Sequence, residues 1–299
     1  MADHIEAWLS EQSPSTQRGY RSEIKRWQDF LQARDVDPLA AERADIAAYK
    51  NLPGVRSPER EPAPATIARR LAVVSSYYRY LASSGIIPQS PAQYMKRPHV
   101  PDESATRGMD KDEASRYLRA AREDKPAAWV LVSLMLTEGL RVSEATGATI
   151  ENVTIHQGVR VLRIYRKGGK RKFVTLGTQA LDAIEAATGD RKRGPIALTR
   201  DGKAYSYPGA YDLVRRLAYR ANLAQPESIR PHSLRHTFAT MSLDAGVPLR
   251  DVQDAMSHSS ADLTRRYDLT RDAAQRHPVK ALERHLGIER TTTSTPDTP

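Results

Sequence analysis

The spacing of apolar residues changes period along this chain, and that change divides it. Beyond Ser13 and Pro14, the residues Tyr20, Ile24, Trp27, Phe30 and Leu31 recur at steps of three and four, so one helical face is expected over about 14–34. A short stretch at 44–52 and a loop rich in proline and arginine at 53–63 follow. Ile67, Leu71, Val74, Tyr77, Tyr78 and Leu81 then repeat the helical pattern until Gly85 stops it. Residues 98–108, with Pro98 and Pro101, have no period and are expected to be an exposed linker. After it, Asp110 and Glu113 are spaced as a capping box before a helix that turns Ala114, Tyr117, Leu118 and Ala121 inward. Residues 127–140 are almost wholly apolar, which predicts a buried helix ending at Gly139 and delivering Arg141 into a tight turn. Between 151 and 176 the period falls to two. Val159, Val161, Arg163 and Tyr165 share one strand face, and Val174 and Leu176 continue after Gly168 and Gly169, so a β-hairpin with Lys167 near its tip is predicted. Helices are expected again at about 178–187, 208–222, 232–245, 248–256 and 261–268. The fold class that follows is mainly α with a small antiparallel β-sheet (α+β). It comprises a helical unit at 1–97, a linker at 98–108, a second domain at 109–288 and a disordered tail at 289–299, where 291–299 is too polar to pack.

With 299 residues, two domains can each bury a core. The net charge of +10 favours a polyanionic partner, because every phosphate met by Lys or Arg releases condensed counterions. The excess is uneven: residues 1–107 hold 15 basic against 13 acidic side chains, residues 108–299 hold 31 against 23. Arg160, Arg163, Arg166, Lys167, Lys170, Arg171 and Lys172 form the densest run, with no acid among them, and are expected to touch a DNA backbone. The chain has no cysteine, which excludes disulfides and thiolate metal sites and suits a reducing compartment. Its N-terminus has no signal-peptide pattern, and no apolar run approaches the ~20 residues of a membrane span. A soluble, cytoplasmic protein without membrane association is expected.

Six reactive side chains occur in order through the second domain: Arg141, Lys167, His232, Arg235, His258 and Tyr267. Arg141 ends the word Thr137-Glu138-Gly139-Leu140-Arg141, followed by Val142, Ser143 and Glu144. Lys167 lies in Arg166-Lys167-Gly168-Gly169-Lys170, ahead of Phe173-Val174-Thr175-Leu176. His232 and Arg235 belong to Pro231-His232-Ser233-Leu234-Arg235-His236-Thr237, and His258 precedes Tyr267 by nine positions. These words, in this order, closely resemble the tyrosine recombinase (phage integrase, Xer-like) family, and the resemblance runs from about Ser15 to Gly287.

The resemblance implies a helical core-binding (SAM-like) domain followed by a tyrosine recombinase catalytic domain. It implies that Arg141 and Arg235 meet the non-bridging oxygens of a scissile phosphate, a role suited to guanidinium forks. An ion pair with Glu144, three residues on, is the plainer use of Arg141; in the catalytic reading Glu144 orients it. Lys167 would protonate the departing 5′ oxygen, although a simple phosphate contact is open to it, as to Lys170 and Lys172. His232 and Arg235, three apart, share a helical face and point at one phosphate. His232 and His236 also have the i, i+4 spacing of a metal pair, but Ser233 stands where a zinc protease needs glutamate and no third ligand is near, so no metal is expected. His258 by analogy bonds the phosphate or its leaving oxygen; a structural histidine at a helix end is the alternative. Tyr267, one of thirteen tyrosines, would be the nucleophile, and with only ~0.1% of a phenol ionised at neutral pH it needs arginine charge and a histidine base. Two departures from the family pattern stand out: Arg166 replaces the usual first glycine of the lysine turn, and Ser257 stands where glycine is usual.

In such a mechanism one phosphoester replaces another, and no cofactor is expected; the chain has neither a P-loop nor a dinucleotide glycine fingerprint. Val279, Leu282 and Leu286 are spaced as the apolar stripe of a short helix between Pro278 and Gly287; packing within its own chain is the plainer use, and in the resembled family this segment docks on a neighbouring subunit. The expected partners are therefore double-stranded DNA with specific core sites, clamped by the two halves, and further copies of the chain in a tetrameric synaptic complex that exchanges strands through a Holliday junction. No arm-binding domain is expected before the core-binding helices. Type IB topoisomerase-like relaxation and a non-catalytic basic DNA-binding protein are the rival readings.

Overall fold

The computed structural model describes residues 2–53, 59–100, 107–165 and 171–256. The chain divides into two compact units, Met1–Pro101 and Asp102–Pro299.

In the first unit, α1 (Ala2–Ser10), α2 (Pro14–Gln32), α3 (Arg43–Lys50) and α4 (Pro64–Ser83) pack around one aromatic core. Proline at the first turn of α2 and of α4 fits there because the missing N–H would have no helical partner. The expected α2 stripe is the buried one: Ile24, Trp27 and Leu31 are sealed from solvent, with Tyr20 and Phe30 packed at the margin. Leu71, Val74, Tyr77, Tyr78 and Leu81 answer from α4. Each aliphatic side chain so buried contributes roughly 1.5–3 kcal/mol. The polar ends of the large rings are satisfied: Trp27 Nε1 donates to the Tyr78 hydroxyl at 3.1 Å, which donates on to the Pro38 carbonyl at 2.8 Å. Helix α1 was not anticipated from periodicity. It is too short to show a repeat, and tertiary burial of Ile5, Trp8 and Leu9 holds it in place.

The second unit is built on α6 (Pro126–Leu136), whose residues Val130, Leu131, Val132, Leu134 and Met135 are all fully buried. A helix apolar on every side must be surrounded, and α5 (Lys111–Asp124), α8 (Thr178–Thr188), α9 (Tyr207–Arg220) and α10 (Pro231–Asp244) contribute to the shared core. Helix α6 ends at Leu136 rather than at Gly139. Gly139 takes a left-handed conformation (φ +64°), and the Leu140 N–H folds back onto the Leu134 carbonyl at 2.9 Å, closing the helix. The short α7 (Val142–Thr146) starts directly after Arg141.

A three-stranded antiparallel sheet follows, in the order β1 (Val153–His156), β2 (Val159–Tyr165), β3 (Arg171–Thr175). β1 adds to the expected hairpin, joined to β2 through Gln157 and Gly158, both at positive φ as a tight primed turn requires. Val159, Val161, Arg163 and Tyr165 do share a face, but the face packed on the core is the opposite one, carrying Leu162, Ile164 and Val174. Apolar residues occur at both parities of β2, so alternation alone did not choose the side. The last described element is α11 (Leu249–Met256), which packs Val252 and Met256 on Ala239 and Leu243. The helix expected at 261–268, the stripe at 278–287 and the tail at 289–299 lie outside the described residues.

Candidate active site

The site starts from the turn that closes α6. A side chain at Gly139 is barred twice, by the positive φ and by Phe238 of α10, whose ring carbon Cδ1 would lie 2.4 Å from an added Cβ. This close approach lets Arg235, from the next turn of α10, bring its guanidinium onto the Gly139 carbonyl. Arg235 is 2% exposed, and its other terminal nitrogen donates to the Met256 carbonyl of α11. One buried arginine thereby ties together the turn carrying Arg141, the helix carrying His232 and α11.

Arg141 sits at the N-cap of α7. Glu144 accepts both its backbone N–H (2.8 Å) and its guanidinium (3.0 Å), the ion pair that the three-residue spacing allows. The Glu144 side chain is 8% exposed and that of Arg141 is 43% exposed, so a buried carboxylate aims an open cation. His232 occupies the first turn of α10, behind Pro231, and its edge is open to solvent. Its pKa is pushed below the usual histidine range, first by loss of water on its inner side, then by the charges of Arg235 and Arg141. The neutral ring, able to accept a proton, is favoured. Arg141, His232 and Arg235 thus belong to one electrostatic neighbourhood.

His236, one helical turn beyond His232, is buried and is pushed down to about 4, chiefly by burial and then by His232. The two histidines of the i, i+4 pair thus have different environments, and among the described residues no group of three or more His, Cys, Asp or Glu is placed to hold a metal ion.

The basic run separates into distinct situations. Arg160 and Arg171 are exposed at the sheet. Arg163 is half-buried and donates through Nε to Asn152 Oδ1 at 3.1 Å. Lys172 is turned to the core side of β3, where its ammonium donates to the carbonyls of Asp254 and Ala255. Arg166, Lys167, Lys170, His258 and Tyr267 lie outside the described residues; Tyr165 pairs with Arg171 on either side of residues 166–170. Sequence reasoning passed over Glu138. Its half-buried carboxylate accepts the Gly177 N–H ahead of α8 and the Thr137 hydroxyl, each at 3.2 Å, joining the Arg141 turn to the end of β3. Burial pushes its pKa up, against those two bonds. No linear motif announces a contact between positions 138 and 177.

Residues 107–274 match the phage integrase family, and residues 6–85 match the N-terminal SAM-like domain of phage integrases. These matches and the architecture define a tyrosine-type site-specific recombinase. The chain belongs to the phage integrase family. It is 30% identical over 275 residues to tyrosine recombinase XerC of Myxococcus xanthus, covering 85% of this chain and 87% of that one. It is 29% identical over 263 residues to XerC of Pelobacter propionicus, covering 85% and 84%. In fold it is similar to the Tn1549 transposon integrase solved with transposon right end DNA (TM-score 0.66, 16% identity, 95% of this chain and 99% of that one). A lambda integrase dimer bound to a COC′ core site is also similar (TM-score 0.68, 16% identity, 93% and 97%). The topoisomerase-like and non-catalytic alternatives are not favoured. Among the described residues no helix is long and apolar enough to cross a membrane.

Proposed function

We propose that this recombinase recognises double-stranded core sites in the cytoplasm and cuts each strand with Tyr267. The phenol oxygen attacks phosphorus, the bond to the 5′ oxygen breaks, and the DNA is left joined to Tyr267 through its 3′ phosphate with a free 5′ hydroxyl. Arg141 and Arg235 offset the charge that builds on the non-bridging oxygens. His232, held toward its neutral form, takes the tyrosine proton. Lys167 gives a proton to the departing 5′ oxygen, and His258 bonds the phosphate. Glu144 orients Arg141. Residues 1–97 form the core-site-binding domain and 109–288 the catalytic domain. Arg160, Arg163, Arg166, Lys170, Arg171 and Lys172 meet backbone phosphates, and four protomers assemble on two sites.

The observation that supports this reading is the hydrogen bond from Arg235 to the Gly139 carbonyl, two residues before Arg141, together with a His232 biased toward its neutral form. The test begins with selecting a bound core site from random duplexes. Wild type should then form a covalent adduct on a nicked version of that duplex, and Tyr267→Phe should form none while binding it equally well. An equal adduct from the variant would remove Tyr267 as nucleophile.

A further inference from the structure

The turn between α6 and α7 is shaped from within and placed from without. Within it, the Ser133 carbonyl accepts the Thr137 N–H and hydroxyl, each at 2.8 Å, the Leu140 N–H returns to the Leu134 carbonyl, and Glu144 accepts the Arg141 N–H. Such short-range bonds set the curve of the turn but not its place against other elements. Arg235 fixes that place from α10, through the Gly139 carbonyl. Glu138 fixes it from α8, through the Gly177 N–H at 3.2 Å. Gly177 is the N-cap of α8 and, as a glycine, brings no side chain to cap the helix. In a capping box the N-cap N–H is met by a glutamate or glutamine three residues on. Position N3 of α8 is Ala180, and the carboxylate comes instead from Glu138, 39 positions back. Helix α8 is a firm mount, with Ala180, Ala183 and Ile184 in the core that surrounds α6. Half-burying a carboxylate here costs free energy that an apolar side chain would not, and burial raises the Glu138 pKa accordingly. What the carboxylate contributes is placement rather than stability.

We propose that Glu138 is a positioning residue for strand cleavage: by holding the turn to the start of α8, it sets where Arg141 stands relative to Arg235 and His232. The proposal rests on the role assigned above to Arg141.

The test uses the full chain, a selected core-site duplex and its nicked form. Glu138→Met removes the acceptor and keeps the length of the side chain. It should bind a single site within about twofold of wild type and with the same salt slope, and its urea midpoint should stay within about 0.5 M. First-strand cleavage at saturating protein should fall about tenfold or more, because a displaced cation no longer meets the charge that builds in the transition state. Glu138→Gln keeps a carbonyl oxygen for the Gly177 N–H and should cleave within about threefold of wild type. A double-mutant cycle with Arg141→Lys identifies the group through which Glu138 acts: once the guanidinium fork is gone, Glu138→Met should cost less than about twofold. Should Arg141→Lys form no measurable adduct, the contrast between the Met and Gln variants decides. Should Glu138→Met unfold, Gly177→Pro removes the same bond from the donor side, since a φ of −74° already suits proline, and is judged by the same criteria. The proposal is overturned if Glu138→Met cleaves at the wild-type rate, if its loss only follows lost folding or occupancy, if Glu138→Gln is equally slow, or if the loss is undiminished beside Arg141→Lys. A wild type that formed no adduct would instead defeat the assignment of Tyr267. The Arg141 guanidinium signal in NMR then judges Glu138: a signal displaced in Glu138→Met and restored in Glu138→Gln upholds the proposal, and one unmoved in Glu138→Met overturns it.

Discussion

Gly139 shows how one backbone position serves both stability and chemistry. Alanine there meets a left-handed φ and the Phe238 ring at once, so Gly139→Ala should cost about 1–3 kcal/mol in urea unfolding. Because its carbonyl receives Arg235, cleavage of a nicked site should fall as well, even where the variant is fully folded. His236 makes a separate prediction. Its folded value of about 4 lies below the ~6.5 of an unfolded imidazole, so between those values the unfolded chain binds the extra proton. Stability should therefore decline as pH drops from 6.5 toward 4. Comparing Tm for wild type and His236→Gln between about pH 6.5 and 5, above most carboxylate titration, should show a shallower decline in the variant. Equal slopes would mean that this imidazole does not carry the effect.

The start of α5 behaves as its sequence spacing predicts. Asp110 accepts the Glu113 N–H at 2.7 Å, and Glu113 leans back toward the Asp110 N–H at 3.4 Å while also receiving Arg107 at 2.8 Å. Asp110→Ala should lower the stability of the second unit by about 1 kcal/mol, Asp110→Asn by less, and neither should alter cleavage by folded protein. A local rule is reliable here because both partners lie within one turn. The sheet behaves differently. The hairpin could be read from alternation and from Gly168 and Gly169, but β1 could not, since its four residues Val153–His156 become a strand only by pairing with Val159–Leu162. The inward face of β2 was equally hidden, because Val161 and Leu162 are both apolar and both buried, and only Leu162 joins the large core of the second unit.

At the level of the assembled protein, the charge of +10 and its concentration in the second half imply strongly salt-dependent DNA binding. The proposed assembly of four protomers makes the stripe of Val279, Leu282 and Leu286 its docking segment. Deleting residues 276–299 should therefore abolish paired-site complexes in a gel-shift assay yet preserve binding to one site; undiminished pairing would show that this segment serves its own protomer.

By themselves, the residues of this chain specified what depends on short range and on chemical type: helices with one apolar face, the cap at Asp110, the buried α6, the family words and the identities of Arg141, His232 and Arg235. They could not say which cation the fold takes up and which stays exposed. Lys172 and Arg171 are adjacent and alike in charge, yet one reaches Asp254 and Ala255, 82 and 83 positions away, and the other is exposed. That distinction arises only when β3 is laid against the core and α11 is brought to its edge, because a charge takes its partner from whatever the folded chain places within hydrogen-bond reach.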